Sequence, residues 1–597
     1  MLEKLQFDIP SLHAAYRDGI APDDVMGEVF RRIEEVADPG VFICLEDRER
    51  IRSAVRALGE FEPNVKPLWG VPYVVKDNID VLGLPTTAAC PAYSYNPERD
   101  AYCVSILRDA GAILIGKTNL DQFATGLVGV RTPFPVPRNA VDSELVPGGS
   151  SSGSAVAVAH GIVSFSLGTD TAGSGRVPAG LNNIVGLKPT LGSVSNTGVV
   201  PACRTLDTIS IFALNVGDAN AVYQQISSFD ESDPYARRFP ARGIGPAPSQ
   251  MRFGVPDERT REFCGDTVQE RSFEKTLKAL QNLGADLIAI DFSPFYEVAD
   301  LLYSGAWVAE RDTVIEDLLK QDPTAVHPVT RRVVEVANQF SATDAFRHFY
   351  RAAELKSEIR KTVQAVDMLC VPTMPTLYKV SEVDNDPIGT NSRLGTYTNF
   401  VNILDFCALT VPIATREDGW PGSITLIAEA GRDGRLADIG SLIHQQSGVT
   451  AGSTSWPVAK SEPETSACSE EIAMAVVGAH MTGLPLNREL TSLGARFLER
   501  TATASCYNLY ALEGGPPKRP GLVRNDHGKS IEIEIWAMPT SQFGTFMGGV
   551  PQPLGIGSLD LIDGRQVKGF ICESAGLRGA EDITSYGGWR NYLNSIE

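Results

Sequence analysis

The sequence predicts an α/β protein in which a large layered domain with a central sheet is followed by a small, mostly β domain. Short apolar runs alternate with helical stretches through most of the chain, as in layered α/β domains. A polar, proline-interrupted stretch then precedes a region of strand-like segments. We therefore expect a first domain over residues 1–455, a linker over residues 456–470 and a second domain over residues 471–597.

The first domain shows this alternation from its beginning. Residues 22–36 repeat apolar positions every three or four residues and begin with acids, which predicts an amphipathic helix. Residues 103–110 also predict a helix. Three short apolar runs predict buried strands of the central sheet: residues 71–75, 112–115 and 368–371.

The expected linker and second domain differ from the first domain in composition. The linker is polar, is interrupted by two prolines and lacks periodicity. Residues 531–535 alternate Ile with Glu, and a period of two gives a strand one apolar face and one wet face. Further strand-like runs cover residues 473–477, 507–512 and 567–572. A half-buried sheet is therefore the expected core of the second domain.

Composition and charge exclude several classes of partner. The 597 residues include 53 Lys and Arg against 73 Asp and Glu, a net charge of −20. An acidic surface repels phosphate backbones and anionic lipids, so we expect neither a nucleic acid nor a membrane partner.

No apolar run reaches the about 18 residues that a membrane span needs. The amino terminus lacks the basic start and apolar core of a signal peptide. The ten cysteines are widely spaced without a C-x-x-C pair, which predicts a reduced, cytoplasmic protein.

Residues 111–118 spell a nucleotide-binding motif. The run Gly-Ala-Ile-Leu-Ile-Gly-Lys-Thr satisfies G-x-x-x-x-G-K-[ST], whose mechanism needs a strand before the glycine and a pliant loop around phosphate. Here the central Ala-Ile-Leu-Ile favours a buried strand, and residues 105–110 before it favour a helix. We interpret the run as a helix-to-strand connection, with a nucleotide site as the alternative.

Residues 149–153 offer two further alternatives. They match the G-x-S-x-G nucleophile elbow with Ser151 as nucleophile, which requires a histidine downstream of an acid. The later histidines have no distinguishing setting: His327, His348 and His444. The run also reads as a flexible linker, but the apolar helix-like residues 155–159 follow at once. A glycine-rich loop that opens a buried helix has free amides suited to a developing negative charge.

Three separated segments together carry a family resemblance: residues 72–78, 148–154 and 168–179. They resemble, in order, the motifs of the amidase signature family, whose enzymes cleave amide bonds with a Ser-Ser-Lys triad. The resemblance continues through residues 186–190 and 399–402 and spans most of residues 20–450. The family also carries G-K-T-N where this chain has residues 116–119, which accounts for the nucleotide-motif spelling.

The resemblance implies a fold and a triad. The fold would be the amidase signature fold, with a central mixed β-sheet covered by helices. Ser174 would be the nucleophile, Ser150 the bridging serine, typically on a cis peptide bond, and Lys76 the base. The backbone amides of four residues would form the oxyanion hole: Thr171, Ala172, Gly173 and Ser174. Lys76 can act as a base only if burial lowers its pKa from about 10.4 toward neutrality; taken alone, it reads as an exposed charge at a strand end.

The segment 301–311 looks like the part of the allophanate hydrolase branch that recognises the substrate carboxylate, with Tyr303 and Arg311 at matching positions. On one helix these two residues and Trp307 would share a stripe. A guanidinium and a phenol hydroxyl would hold a carboxylate by charge-assisted hydrogen bonds. The alternative is a core-facing aromatic pair with a solvated Arg. Gly126 is implied as a backbone contact to substrate, and its alternative is an ordinary turn glycine.

The second domain carries the same branch resemblance. Residues 478–487 and 551–558 are similar to that branch's carboxyl-terminal domain, which in turn resembles the small β-barrel of γ-glutamylcyclotransferase-like proteins. Ala172, where many relatives have Gly, also fits the branch. The implied reaction hydrolyses urea-1-carboxylate to ammonia and N-carboxycarbamate, which decarboxylates to give a net two ammonia and two carbon dioxide. His480 is implied as a helper in decarboxylation, and a structural role at a strand end is its alternative.

The resemblance also implies partners and leaves other functions open. It implies no cofactor and no metal, a small-molecule substrate, a homodimer, and urea carboxylase or a related pathway enzyme as a partner. The open alternatives are an amidase for other small carboxylated or neutral amides, an amidotransferase component that generates ammonia for aminoacyl-tRNA, and a catalytically silent scaffold. The second domain argues against the amidotransferase component, and the intact Lys76, Ser150 and Ser174 argue against the scaffold.

Overall fold

The computed structural model describes residues 2–596, which form two compact units. The first unit comprises the residues up to Gly243 together with Arg252–Ser461. The second comprises Ile244–Met251 together with the residues from Glu462 onward. Sequence composition did not indicate that Ile244–Met251 belongs with the second unit, whose main segment begins only at Glu462. The linker bounds expected from the sequence stay a prediction.

The stretch before the second unit's main segment contains sixteen α-helices and eleven strands among the described residues. The helices are α1 (Ile9–Arg17), α2 (Pro22–Val36), α3 (Arg48–Ala57), α4 (Tyr102–Asp109), α5 (Ser152–Ala159), α6 (Val177–Leu181), α7 (Val216–Ile226), α8 (Thr267–Asn282), α9 (Ser293–Tyr303), α10 (Val308–Gln321), α11 (Pro328–Glu335), α12 (Ala342–Val363), α13 (Val380–Asn385), α14 (Gly389–Leu394), α15 (Phe400–Ile403) and α16 (Asp433–Gln446). The strands are β1 (Phe42–Leu45), β2 (Pro72–Lys76), β3 (Ile113–Thr118), β4 (Phe165–Asp170), β5 (Val185–Lys188), β6 (Thr208–Ala213), β7 (Met251–Pro256), β8 (Ala285–Ile290), β9 (Met368–Pro372), β10 (Phe406–Ile413) and β11 (Gly422–Glu429).

The eleven strands form one sheet in the order β1-β3-β2-β4-β6-β5-β10-β11-β9-β7-β8. β2 pairs in parallel with both β3 and β4, whereas β4 pairs antiparallel with β6. The expected central mixed sheet is therefore confirmed. All residues of β2, β3 and β4 are buried, because near-continuous apolar strands lie in the middle of a sheet covered on both faces. β2 thus delivers its last residue into the interior.

The elements expected in the first domain are present with small shifts of their ends. The helix expected over residues 22–36 is α2, and the helix expected over residues 103–110 is α4. The three apolar runs correspond to β2, β3 and β9. Because β3 follows α4 directly, the helix-to-strand interpretation of residues 111–118 is confirmed and the nucleotide-site alternative is wrong. Lys117 is buried, and its ammonium lies 3.0 Å from Asp77 Oδ1.

The second unit is mostly β, as expected, with its strands divided between two sheets. Its strands are β12 (Glu471–Val476), β13 (Arg496–Ala502), β14 (Tyr507–Ala511), β15 (Pro520–Arg524), β16 (Glu532–Pro539), β17 (Leu554–Asp560), β18 (Gln566–Cys572) and β19 (Glu581–Asp582), and its helices are α17 (Asn487–Ser492), α18 (Thr540–Gly548) and α19 (Trp589–Ile596). One sheet has the order β13-β16-β12-β18-β17 and the other β15-β14-β19.

The wet face expected for residues 531–535 is wrong at one position. Glu534 is only 1% exposed, because Arg590 of α19 covers it and donates to its carboxylate at 2.8 Å. Thr482 and Trp536 also donate to that carboxylate. These donors allow the Glu534 carboxylate to be buried. The alternation of apolar and polar residues therefore predicted the strand correctly, but it did not predict which residues of the polar face are exposed.

Among residues 2–596, no helix combines the length and apolar character that crossing a bilayer requires.

Candidate active site

Lys76 ends β2, the third strand from one edge of the sheet, and is fully buried. Its ammonium nitrogen lies 2.7 Å from Ser150 Oγ and 2.8 Å from Thr169 Oγ1, a residue of the neighbouring strand β4. The alternative of an exposed charge at the strand end is therefore wrong. The parallel pairing of β2 with β4 explains the second contact, because it places the carboxyl ends of both strands at one edge.

The surroundings of Lys76 lower its pKa to about 7. Burial is the main cause, since it disfavours the charged amine, and the positive charge of Arg311 acts in the same direction. Three carboxylates act against this change: Asp121, Asp207 and Asp170. The drop from 10.5 corresponds to about 5 kcal/mol between the two protonation states. A substantial neutral fraction therefore exists at physiological pH.

Ser150 lies in the glycine-rich loop that leads into α5. The Gly149–Ser150 peptide bond is cis, as the family resemblance implied. A Cβ atom on Gly149 would lie 2.0 Å from Asp121 Oδ2, so only glycine fits there. Ser151 is buried and its hydroxyl donates to the Thr169 carbonyl at 3.2 Å; among the described residues it has no histidine partner. The loop is thus a packed element, and the flexible-linker and nucleophile-elbow alternatives are wrong.

The second glycine turn connects β4 with α6 and is fixed by a buried ion pair. Arg176 donates two hydrogen bonds to the Asp170 carboxylate, at 2.8 and 2.9 Å, and the Gly175 amide donates a third at 2.9 Å. Asn402, in the last segment of the family resemblance, donates to the Asp170 carbonyl and accepts from Arg176. Bidentate pairing in a dry interior fixes both partners, so the turn between them is rigid.

Ser174 lies in this turn and is 2% exposed. Within the described residues, its hydroxyl makes no hydrogen bond to Ser150, so the contact expected between the two serines is not formed in this geometry. Catalytic hydrogen bonds are often long before substrate binds. Gly173 has φ +149°, and a Cβ atom there would lie 2.4 Å from Thr398 Oγ1, which explains the glycine.

Four consecutive backbone amides of the turn make no hydrogen bond to the described residues: those of Thr171, Ala172, Gly173 and Ser174. All four residues are buried. Because buried amides without an acceptor are rare and costly, this cluster is suited to a bound negatively charged oxygen.

Tyr303 and Arg311 come together, but not on one helix. α9 ends at Tyr303 and α10 begins at Val308, so the continuous helix with a stripe through Trp307 was wrong. Gly305 has low helix propensity, and the Ala306 amide donates to His348 rather than continuing the helix. Arg311 Nη2 nevertheless lies 3.2 Å from Tyr303 Oη.

Arg311 is 2% exposed, so the alternative of a solvated arginine is wrong. Its Nη1 donates to Thr125 Oγ1 at 3.0 Å, and its Nε has no hydrogen-bond partner. No carboxylate of residues 2–596 lies within ion-pair distance of it. Gly126 follows Thr125, and a Cβ atom on it would lie 2.4 Å from Asp121 Oδ2, so packing alone requires this glycine. The site therefore holds a buried guanidinium that has a free donor at Nε and makes no ion pair with the described residues.

His480 lies in the second unit, where a small pocket of about 50 Å³ has formed. Its Nε2 lies 2.9 Å from Glu489 Oε2, and its ring stacks on Phe570 at 5.0 Å and contacts Phe546 edge-on. Burial lowers the pKa of His480, while the Glu489 carboxylate opposes this. Arg519 also lines the pocket. His480 is thus a neutral, oriented imidazole beside a cavity.

Comparison with known proteins identifies the first unit. Residues 24–437 match the family model for amidases. The chain belongs to the amidase signature family. Residues 472–594 match the model of the allophanate hydrolase C-terminal domain, so both resemblances seen in the sequence are confirmed. The expected amidase signature fold is confirmed with them.

Relatives of this amidase differ in length. This chain is 44% identical over 553 residues to a urea amidolyase of Saccharomyces cerevisiae. The match covers 89% of this chain and 30% of the relative. This chain is 31% identical over 471 residues to a component of the glutamyl-tRNA(Gln) amidotransferase of Exiguobacterium, covering 74% of this chain and 97% of the relative. A solved Kluyveromyces lactis allophanate hydrolase is 40% identical, with a TM-score of 0.81 over 99% of this chain and 100% of that chain. The chain thus spans less than a third of the length of the urea amidolyase it matches.

Two residues of the amidase site were not predicted. Thr169 contacts Lys76 and lies inside the glycine-turn segment 168–179, so that motif was a usable signal. Asp207 receives hydrogen bonds from the Thr171 hydroxyl and the amides of Ala202 and Cys203. Burial raises the pKa of Asp207 to about 6. No feature of the sequence marks Asp207, because its role depends on the fold bringing it to the turn.

Proposed function

We propose that the amidase unit hydrolyses allophanate, urea-1-carboxylate, with Lys76, Ser150 and Ser174 as its triad. The observation that carries the chemistry is the buried Lys76 ammonium 2.7 Å from Ser150 Oγ. The observation that supports the substrate is the buried Arg311 guanidinium, which makes no ion pair with a described residue and whose Nε has no hydrogen-bond partner. Asp207 and Glu310 act on this cation only from beyond ion-pair distance. An anionic substrate is therefore favoured, because it would bring a negative charge into direct contact with the guanidinium.

The first half of the reaction forms an acyl-enzyme. Neutral Lys76 takes a proton from Ser150 as Ser150 takes one from Ser174, whose oxygen then attacks the terminal amide carbonyl. The carbonyl oxygen becomes negative within reach of the free amides of the glycine turn, which lowers the barrier. The proton returns along the same path to the leaving nitrogen, and the C–N bond breaks to release ammonia.

The second half regenerates the enzyme. Water gives a proton to the same relay and attacks the acyl carbon, which breaks the bond to Ser174 and releases N-carboxycarbamate. This dianion takes up protons and loses carbon dioxide to give carbamate, which decomposes to ammonia and a second carbon dioxide. The net change consumes one allophanate anion, one water and one proton, and yields two ammonia and two carbon dioxide.

Arg311 and Tyr303 hold the substrate carboxylate in this proposal. A planar guanidinium matches a carboxylate, and the Tyr303 hydroxyl adds a second donor. Gly126, beside Thr125, is proposed as a backbone contact to the same ligand. The 3.2 Å contact between Arg311 and Tyr303 supports a joint site for one small anion. A neutral amide would leave the guanidinium buried and uncompensated, which disfavours its binding.

We expect Arg311→Gln to lower kcat/KM for allophanate by roughly 10² to 10³-fold, because a buried charge-assisted contact is lost. Turnover of the neutral amide biuret should not fall, because the variant removes the charge that disfavours a neutral ligand. Ammonia release from both substrates measures this. Lys320→Gln, which removes an exposed charge from the same helix, is the matched control. An Arg311→Gln enzyme that keeps its preference for allophanate over biuret would contradict the substrate assignment.

We further propose that His480 assists decarboxylation in the second unit. The imidazole, oriented by Glu489, is suited to take up a proton from solvent and pass it to the nitrogen of N-carboxycarbamate as carbon dioxide leaves, which returns the ring to its neutral form. The match to the allophanate hydrolase C-terminal domain supports a role in the same reaction sequence. The γ-glutamylcyclotransferase-like character of this unit stays a prediction.

With allophanate labelled at its terminal nitrogen, His480→Ala is expected to release labelled ammonia normally but unlabelled ammonia at least about tenfold more slowly. The label separates the amidase step from the decomposition of its product. His527→Ala, which changes an exposed histidine of the same unit, serves as control. Equal rates for the two ammonia molecules in the His480→Ala enzyme would exclude this role.

We also propose a homodimer in the cytoplasm, with no cofactor, served by urea carboxylase or a related enzyme that makes allophanate. The spacing of the ten cysteines supports a reducing compartment. The greater length of the matched urea amidolyase supports a second catalytic partner. Light scattering tests the dimer: a mass of one chain in solution would rule it out. Stimulation of urea-dependent ammonia release by added urea carboxylase tests the partner, and no stimulation would reject it.

A further inference from the structure

The break between α9 and α10 is what brings Tyr303 and Arg311 together. In an uninterrupted helix, two residues that are eight positions apart lie about 12 Å apart along the axis. Across the break, Arg311 Nη2 lies 3.2 Å from Tyr303 Oη. The break is thus part of the geometry that places the two side-chain ends at a joint site for a small carboxylate.

One backbone amide inside the break is bonded outside its own segment. In a continuous helix the Ala306 amide would donate to the Leu302 carbonyl, four residues earlier. It donates instead to His348 Nδ1 at 2.9 Å. Because the backbone amide is the donor, Nδ1 must carry a lone pair and the ring hydrogen must lie on Nε2. The hydrogen bond to the His348 ring thus replaces the one that the Leu302 carbonyl would accept in a helix.

α12 holds the break at two successive points. His348 receives the Ala306 amide, and the Phe349 ring packs edge-on against Trp307 with centroids 4.8 Å apart. The His348 ring is itself braced edge-on by Phe340 at 5.6 Å. Ala306 is only 8% exposed, so an amide left without its acceptor there would be largely shielded from solvent.

We propose that His348 is a positioning residue for the substrate carboxylate, which acts by holding the chain out of the helix between Tyr303 and Arg311. This inference rests on the proposed function of those two residues. Without the acceptor, the Ala306 amide is either left buried and unpaired or satisfied by the Leu302 carbonyl. The second outcome lengthens α9 by rotating the chain ahead of Arg311, which moves the guanidinium away from Tyr303.

The test compares variants by their acceptor. His348→Leu keeps apolar bulk without an acceptor and is expected to raise KM for allophanate roughly tenfold, with kcat within about threefold, because only positioning is lost. Its turnover of biuret should stay at the wild-type level. His348→Asn places Oδ1 where Nδ1 lay and is expected to restore KM for allophanate to within about threefold of wild type. Arg347→Gln, at the exposed neighbouring position, is the matched control.

Each outcome decides the matter. A folded His348→Leu enzyme with an unchanged KM for allophanate overturns the proposal, and so does an Asn variant that is no better than Leu. If His348→Leu does not fold, the KM values of His348→Asn and His348→Gln for allophanate are compared instead. The longer Gln side chain places its acceptor away from the Ala306 amide, so His348→Gln should raise KM as His348→Leu would. A different result would show that the proposed function itself is wrong: Arg311→Gln would leave the preference for allophanate over biuret unchanged.

Discussion

Ser174→Ala is expected to lower ammonia release from allophanate by roughly 10⁴-fold or more, since a hydroxyl that forms the covalent intermediate has no substitute. The loss should appear in kcat, because Ser174 is not among the residues proposed to hold the carboxylate. KM or the dissociation constant for allophanate should change less than about tenfold. Single-turnover ammonia assays and calorimetric titration measure the two effects separately.

Folding and nucleophile identity need their own controls in this experiment. Ser272→Ala changes a serine of α8, far in sequence from the triad, and should leave activity at the wild-type level. Mass spectrometry of wild-type enzyme treated with a serine-directed fluorophosphonate should place the adduct on Ser174. An active Ser174→Ala enzyme, or an adduct on Ser150 or Ser151, would refute the assignment of the nucleophile.

Lys76→Met is expected to lower kcat/KM for allophanate by roughly 10³ to 10⁴-fold, because the two serine hydroxyls lose the group that accepts their proton. Lys76→Arg should be equally inactive. A guanidinium keeps its proton at every pH in use, so it restores the charge but not the base. The pair of variants separates a neutral amine from a mere positive charge.

The Lys76 variants are measured against Lys275→Met, which removes an exposed lysine from α8. Circular dichroism and thermal melting establish whether the buried position tolerates each change; an apolar side chain in a dry pocket should not unfold the protein. A Lys76→Arg enzyme with activity within about tenfold of wild type would show that proton acceptance is not the role of this residue.

Local sequence patterns predicted most of the fold and the three candidate triad residues. The strands β2, β3 and β9 are apolar runs because they are buried on both faces, so composition alone marks them. Lys76, Ser150 and Ser174 each lie in a short motif whose neighbours are glycines or a strand. The family resemblance singled out these three as candidates because the motifs are contiguous in sequence.

Long-range contacts explain what sequence reasoning missed. The wet face expected at Glu534 is covered by Arg590 of α19, far along the chain. The helix expected over residues 301–311 breaks because His348 of α12 takes an amide from it. Asp207 joins the site only through the Thr171 turn. In each case the deciding partner lies dozens of residues away, where neither periodicity nor propensity can indicate it.

The central claim is that neutral Lys76 accepts a proton through Ser150, and the pH dependence of Ser174 phosphonylation by the fluorophosphonate, in which fluoride leaves, tests it most directly. The rate constant for reaction with the fluorophosphonate should rise with pH, with a midpoint near the Lys76 pKa of about 7, and level off above it, because only the neutral amine accepts a proton. Lys76→Met should lose this rise even though Asp207, with a pKa of about 6, remains. A wild-type rate that does not change between about pH 6 and 9, or the same rise in Lys76→Met, would contradict the account.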